Sequence, residues 1–444
     1  MNDDSLPRLL EQLREAKPDY AGSLVREAIV VLVGKRAVEP LIHLLDDTNE
    51  TVATDACVTL GLLRDRRAVA PIAARLDRFG WNGPNALGNL GGSHASDALL
   101  RYLDAKSGWK IPTIRMLGFL RERRAIPALI KLLPVDHAHM FATEGIGKLD
   151  LGDNAAVSLG KIGKPAGDAL VGALTHSDAF VRERAATALV EVKYSKAAPL
   201  LLKQLDDDTL PAVAAADALA ALKEKRAIPV LLRWLERSRT TPFPKAAVGC
   251  LGAIGDPRLF SVLANIADGP DRELASTATY ALGGLRCDES FRYLEKCPRD
   301  RVLQAYYALG AQKDPRAFAL LTERLKFSDN EEAMVLAVVL QKLGDPRAIP
   351  VLMKRSAVSR PPLDMDIFPA VAGLGKEGIK MIGALANSKD ESCLSDAIFA
   401  LEVSRSLEAL RYLRPLLKHR DSDVVKTAIS AMFEILTAHR KTGP

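Results

Sequence analysis

The chain has 444 residues, of which 48% are hydrophobic, 26% charged and 5% aromatic, and its net charge is +6. The apolar share excludes wholesale disorder, and so mild a charge excludes the strong basic bias of a protein that coats nucleic acid. Length alone suggests about three globular domains, a prior that an internal repeat overturns.

The chain opens on Met1-Asn2-Asp3-Asp4, which is acidic and carries no apolar core, so no signal peptide is expected. The densest apolar run nearby, Ile29–Val33, is far shorter than the roughly 20 residues that span a bilayer. No membrane association is expected. The five cysteines (Cys57, Cys250, Cys287, Cys297 and Cys393) are scattered and form no C-x-x-C pair, so neither a disulfide framework nor a zinc site is expected. Buried thiols in a reducing cytoplasm fit this usage.

From residue 35 onward one phrase recurs. It reads K-R-A-V-E-P-L-I at Lys35, R-R-A-I-P-A-L-I at Arg123, K-R-A-I-P-V-L-L at Lys225 and D-P-R-A-I-P-V-L at Asp345. Further copies start at Arg66, Lys196, Asp256 and Asp314, with weaker ones near Ser93, Lys164, Asp288, Lys376 and Arg405. The mean step is about 31 residues, a solenoid period. Each unit reads as two helices. A proline (Pro40, Pro71, Pro127, Pro199, Pro229, Pro350) opens the first, where its missing N–H costs nothing. The second closes on an A-L-G-type ending, as at 56–61 or 248–255, whose small residues allow close packing and whose last glycine is expected to cap the helix. No segment of useful length alternates with period two, so no strands are expected.

These motifs resemble the HEAT repeat family, in particular the short HEAT-like units of the phycobilisome lyase type. The resemblance covers nearly the whole chain and implies an all-α, right-handed α-solenoid of about fourteen helix pairs, one array over residues 1–444. Its ends are expected to be polar, since terminal repeats face water. Fold of this kind does not fix function.

Breaks in the repeat are the first candidates for a site. The step from Ala125 to Ala166 carries an insertion at about 134–153, with Asp136, His137, His139, Glu144, Asp150 and Asp153. A divalent metal could use such residues, but spacing alone does not converge them, and a plain polar loop is the expectation. Segments 79–92, 238–245 and 359–368 are rich in Gly, Pro or Asn and are read as loops on one edge, where an exposed aromatic could anchor a partner.

The resemblance implies that the second helices line the concave side. Aligned on the A-L-G leucine, the position two residues earlier holds Val58, Asn85, Arg115, Val157, Thr187, Asp217, Gly249, Tyr280, Tyr307 and Val338. This is a mixed polar and aromatic surface, not the basic stripe that a duplex demands. The residues expected to bind a partner are Trp81, Asn82, Asn85, Asn89, Trp109, Lys110, Arg115, Arg121, Tyr280 and Tyr307, because Trp, Tyr and Arg dominate binding hot spots. The plain alternative is that the aromatics fill gaps between repeats. The stretch 106–131 carries seven basic residues against Glu122 alone, which equals the net charge of the whole chain, so an acidic protein partner is expected there.

Enzymatic members of the same fold leave recognisable marks. None of the seven histidines precedes a glutamate, which removes the His-Glu iron ligands of deoxyhypusine hydroxylases. The inner face lacks the overall basicity of the alkylpurine DNA glycosylases of this fold. No Walker loop, G-x-S-x-G elbow or H-E-x-x-H motif occurs, and nothing calls for a cofactor. The expected function is a non-enzymatic scaffold that binds a protein. The alternatives are a phycobilin-lyase-like or chaperone-like accessory to a cofactor-bearing protein, and a HEAT-like nucleic-acid binder.

Overall fold

Each copy of the phrase folds into a tight turn followed by a pair of packed helices. The computed structural model describes residues 5–15, 20–104, 109–134, 151–206, 211–237, 242–358, 364–388 and 391–441. Among these residues there is no strand, and the protein is an all-α solenoid. No helix of the described residues is long and apolar enough to cross a membrane.

The turn has a repeated chemical cause. Asp65, Glu122, Glu224, Asp256, Asp314 and Asp345 each accept a hydrogen bond from the backbone N–H two residues on, at 2.9 to 3.2 Å. That next residue is always an arginine, and its guanidinium folds back onto the same carboxylate. The acid thus satisfies an orphan donor of the incoming helix. Arg67, Arg124 and Arg316 also reach back one repeat, to Glu39, Asp97 and Asp288, each at 2.7 Å. These pairs are largely exposed and each contributes roughly 0–1 kcal/mol, so they act as register clasps more than as a source of stability. The prolines of the phrase do open their helices, as Pro127, Pro199 and Pro229 show.

The helix ends depart in part from expectation. Gly255 and Gly344 are left-handed C-caps. Elsewhere a basic residue takes that conformation: Arg64, Lys193 and Lys313 have φ of 52°, 50° and 56°. A cation there sits favourably at the negative end of the helix dipole. Gly61 and Gly283 lie inside their helices instead. A Cβ at either would stand 2.7 Å from the Cα of Ala86 or Ala308, so these glycines set how closely successive helices approach.

Two compact units make up the chain. In the unit of residues 35–281, the second helices Glu50–Leu63, Asn82–Leu90, Lys110–Phe119, Leu151–Ile162, Ala179–Val192, Pro211–Ala221 and Phe243–Ile254 stack in succession. The first helices, such as Val38–Leu44 and Ala198–Leu205, pack on their other side. The leucines of the A-L-G ending (Leu60, Leu87, Leu117, Leu159, Leu189, Leu219, Leu251) are at most 1% exposed. Each such burial is worth about 1.5–3 kcal/mol.

The other unit joins residues 1–34 to 282–444. Its helices Val302–Gln312, Asn330–Leu343, Asp364–Ala372, Leu394–Val403 and Ser422–Lys441 stack in the same way. Here the expectation of two polar ends is corrected. The helix Tyr20–Ala28 packs against Ser422–Lys441, and the buried Ile29 and Val30 follow it. The two termini cover each other because each carries an apolar stripe that water would otherwise meet.

Candidate functional site: the open face of the second helices

Two residues correspond to roughly 200° around a helix, so the residue two before each buried leucine must point away from the core. In the unit 35–281 the structure places Arg115, Val157, Thr187, Asp217, Gly249 and Tyr280 at exposed positions and Val58 and Asn85 at half-buried ones. Five residues before the leucine, Asp55, Pro112, Arg184 and Ala214 are buried while Asn82, Asn154 and Ala246 are half-buried. Arg184 is the clearest case: it is buried, with Nε 2.8 Å from Asp153 and Nη1 donating to the Leu133 carbonyl at 2.6 Å. It ties the two sides of the insertion together.

Eight of the sequence candidates lie on, or next to the ends of, two adjacent helices of this unit. Segment 79–92, read as a loop, is instead largely the helix Asn82–Leu90. Pro84 falls in its first turn, and Ala86, Leu87 and Leu90 bury at helical spacing, which outweighs the Gly and Asn content. Trp81 precedes this helix and Trp109 precedes the next one, Lys110–Phe119. Their rings meet edge to face at 6.3 Å between centroids and 70° between planes, a favoured aromatic geometry. Gly80, with φ of +54°, lets the Trp109 ring lie close: a Cβ there would stand 3.3 Å from the indole. Thr113 Oγ1 donates to the Trp109 carbonyl at 2.9 Å and fixes the start of its helix.

Trp109 remains 37% exposed and Trp81 is half-buried. Asn85 and Asn89 lie one turn apart and half-buried on the helix Asn82–Leu90, with Asn82 in its first turn. Arg115 is exposed on the neighbouring helix, and Arg121, exposed at φ 51°, follows its end. Lys110, Arg115 and Arg121 take part in no ion pair among the described residues, whereas Arg124 is held by Glu122 and Asp97. The basic stretch therefore keeps only part of its charge available. Lys106 lies outside the described residues.

The remaining candidates stand apart from this patch. Tyr280 is 57% exposed on the helix Arg272–Leu285, at the far end of the same unit. Tyr307 belongs to the other unit and is half-buried, with Lys342 Nζ 5.5 Å from its ring centroid. Two expected loop aromatics prove to be packing residues. Phe243 sits edge to face on Trp234 at 4.7 Å, and Phe368 is buried. Residues 238–241 and 359–363 lie outside the described residues, as do His137, His139, Glu144, Asp136 and Asp150 of the insertion. Asp153 is described and is engaged by Arg184. Among the described residues no group of three metal-ligating side chains comes together.

One feature of the face escaped the sequence reading. The helices Leu151–Ile162, Ala179–Val192, Pro211–Ala221 and Phe243–Ile254 enclose a groove of about 810 Å³. Its floor is made of small residues, among them Ala156, Gly160, Ala188, Ala220 and Gly249, and Val157 and Val190 add apolar surface. Asp217 opens into it and accepts a hydrogen bond from Cys250 Sγ at 3.4 Å. Partial burial raises the Asp217 carboxyl above the usual range, and the thiol only partly offsets this. Burial likewise pushes the Cys250 thiol far up, with the nearby Asp217 charge adding to it, so Cys250 is no nucleophile at neutral pH. Cys57 is pushed to about 12 by burial alone.

The family model for HEAT repeats matches residues 150–215 and 211–283. Among solved structures, the chain is similar to the complex of CpcE and CpcF of phycocyanin lyase from Nostoc, at 24% identity, covering 57% of this chain and 96% of that one with a TM-score of 0.37. It is also similar to yeast importin-β, at 11% identity, covering 98% of this chain and 74% of that one with a TM-score of 0.48. No curated protein matches the sequence. The chain is an all-α solenoid in which residues 150–283 match HEAT repeats.

Proposed function

We propose that the chain is a non-enzymatic scaffold that binds a protein through the open face of its second helices, with Trp81 and Trp109 at the centre of one contact patch. The supporting observation is the edge-to-face pair of Trp81 and Trp109 at 6.3 Å, at the start of two adjacent helices that carry Asn85, Asn89 and Arg115. Partly exposed large aromatics on helices that also carry amide and guanidinium donors have the composition of a binding hot spot. The free charges of Lys110, Arg115 and Arg121 favour an acidic surface on that protein. Exposed second-helix positions recur from repeat to repeat, so a long partner could be held at several points along one array. The reading of residues 1–444 as one array rests on the regular succession of the phrase. The test is affinity capture from the native host with the intact chain and with the Trp81→Ala/Trp109→Ala variant, followed by mass spectrometry. A protein retained by the first and lost by the second supports the scaffold. Capture of no protein by the intact chain refutes it.

A further inference from the structure

We infer that the groove spanning Val157 to Ala253 seats an aliphatic segment of a protein partner, one of whose Lys or Arg side chains pairs with Asp217. This rests on the scaffold reading and names the chemistry of one of its contacts.

Shape comes first. The groove crosses four successive helices of one stack. Three interhelical steps of about 9 Å make roughly 27 Å, the length of a helix of about 18 residues. Small side chains on the floor leave room that Leu or Ile from outside would fill, and apolar burial of that kind supplies the affinity.

Charge then selects the occupant. Asp217, Glu191 and Lys161 line the groove, and none of them forms an ion pair among the described residues. The lining therefore carries two acids against one base. Asp217 has a thiol as its hydrogen-bond donor, at 3.4 Å, which is a weak match for a carboxylate. Partial removal from water disfavours its charge. An ammonium or guanidinium arriving with the segment would complete it, whereas an acidic residue would add to the repulsion. This end of the face thus asks for the opposite charge from the Trp109 patch.

The test uses the whole chain and three fluorescent helical peptides of about 18 residues. All three share one Leu/Ala face and carry Lys, Gln or Glu on the flanks, and binding is read by anisotropy. The Lys peptide should bind at least tenfold tighter than the Gln peptide, and the Glu peptide weakest. Asp217→Asn should remove most of the preference for Lys. Gly249→Leu should block all three, because a Cβ at Gly249 meets nothing within 4 Å and the new side chain extends into the groove without disturbing the fold. Circular dichroism of both variants should match the parent. Equal binding of the Lys and Glu peptides, absence of binding by any of them, or unchanged binding by Gly249→Leu would overturn the inference. A native protein that is captured through Trp81 and Trp109 but indifferent to Gly249→Leu would overturn the groove and leave the scaffold standing.

Discussion

Ser430 Oγ donates a hydrogen bond to Glu27 at 2.5 Å, across 403 residues of sequence. Glu27 also accepts from Ser23 Oγ at 3.1 Å. The bond marks where the helix Tyr20–Ala28 covers the last helix, whose Ala431, Met432 and Ile435 are buried. Removing residues 1–34 should expose that stripe. The truncated chain should unfold at lower temperature and self-associate, as thermal melts and light scattering would report. An unchanged, monodisperse product would show that the contact carries no stability.

The same corner gathers three carboxylates. Burial raises the Glu402 carboxyl, and the charges of Glu434 and Glu27 raise it further. An acid raised in the folded state costs stability once pH climbs above its unfolded value of 4.5 and through its folded one. Glu402→Gln should therefore raise the melting temperature near neutral pH and have little effect in acid. A destabilised variant at neutral pH would contradict this assignment.

Glu122 behaves in the opposite way. The Arg124 guanidinium holds its carboxyl down to about 2. Its contribution is complete above the unfolded value of 4.5 and is lost as pH falls toward 2. Glu122→Gln keeps an acceptor oxygen for the Arg124 N–H but loses the charge that pairs with its guanidinium, so it should cost up to about 1 kcal/mol at neutral pH and should flatten the acid limb of the stability curve. Chemical denaturation at several pH values measures both.

Two glycines of the second helices should respond oppositely to alanine. A Cβ at Gly118 would stand 2.6 Å from the Ser158 Cβ and 2.7 Å from its Cα, so Gly118→Ala forces two helices apart and should cost about 1–3 kcal/mol. A Cβ at Gly249 meets nothing, so Gly249→Ala should gain about 0.5–1 kcal/mol from helix propensity. Equal effects would mean that the stacking distance is not set by Gly118.

The pairing of Asp217 with an incoming cation has its own pH signature. Binding needs the charged carboxylate, and burial raises the free group. Affinity for a basic segment should therefore fall as pH drops through that raised value and should be flat in Asp217→Asn. Isothermal titration in buffers of different ionisation heat would also show the proton released on binding.

Much of the architecture was legible because the cause is local. A proline in the first turn, leucines at helical spacing and a small-residue ending recur often enough to fix helix pairs and the direction of their faces. The exposed row from Val157 to Tyr280 followed from counting back from one leucine. The helix Asn82–Leu90 was only partly legible: its A-L-G ending placed Asn85 on a second helix, while its Gly and Asn residues signalled a loop by composition, and its stability comes from burying Leu87 and Leu90 against neighbouring repeats. Phe243 looked exposed because nothing in its own segment reveals Trp234. Neither the Cys250–Asp217 bond nor the Glu27–Ser430 bond has a local sequence signal, since both join residues brought together by stacking.

The Trp81–Trp109 pair carries the functional account. The decisive measurement is the dissociation constant of the captured protein for the intact chain and for Trp81→Ala/Trp109→Ala, taken alongside both melting temperatures. Losing two half-buried rings should cost the fold a few kcal/mol, from the lost apolar burial and the ring contact together, and leave it folded, while losing a hot spot should cost binding about 2 kcal/mol or more, roughly thirtyfold in affinity. A folded variant that binds at least thirtyfold more weakly is the expected result. Unchanged affinity of the folded variant would contradict the account and make both tryptophans packing residues.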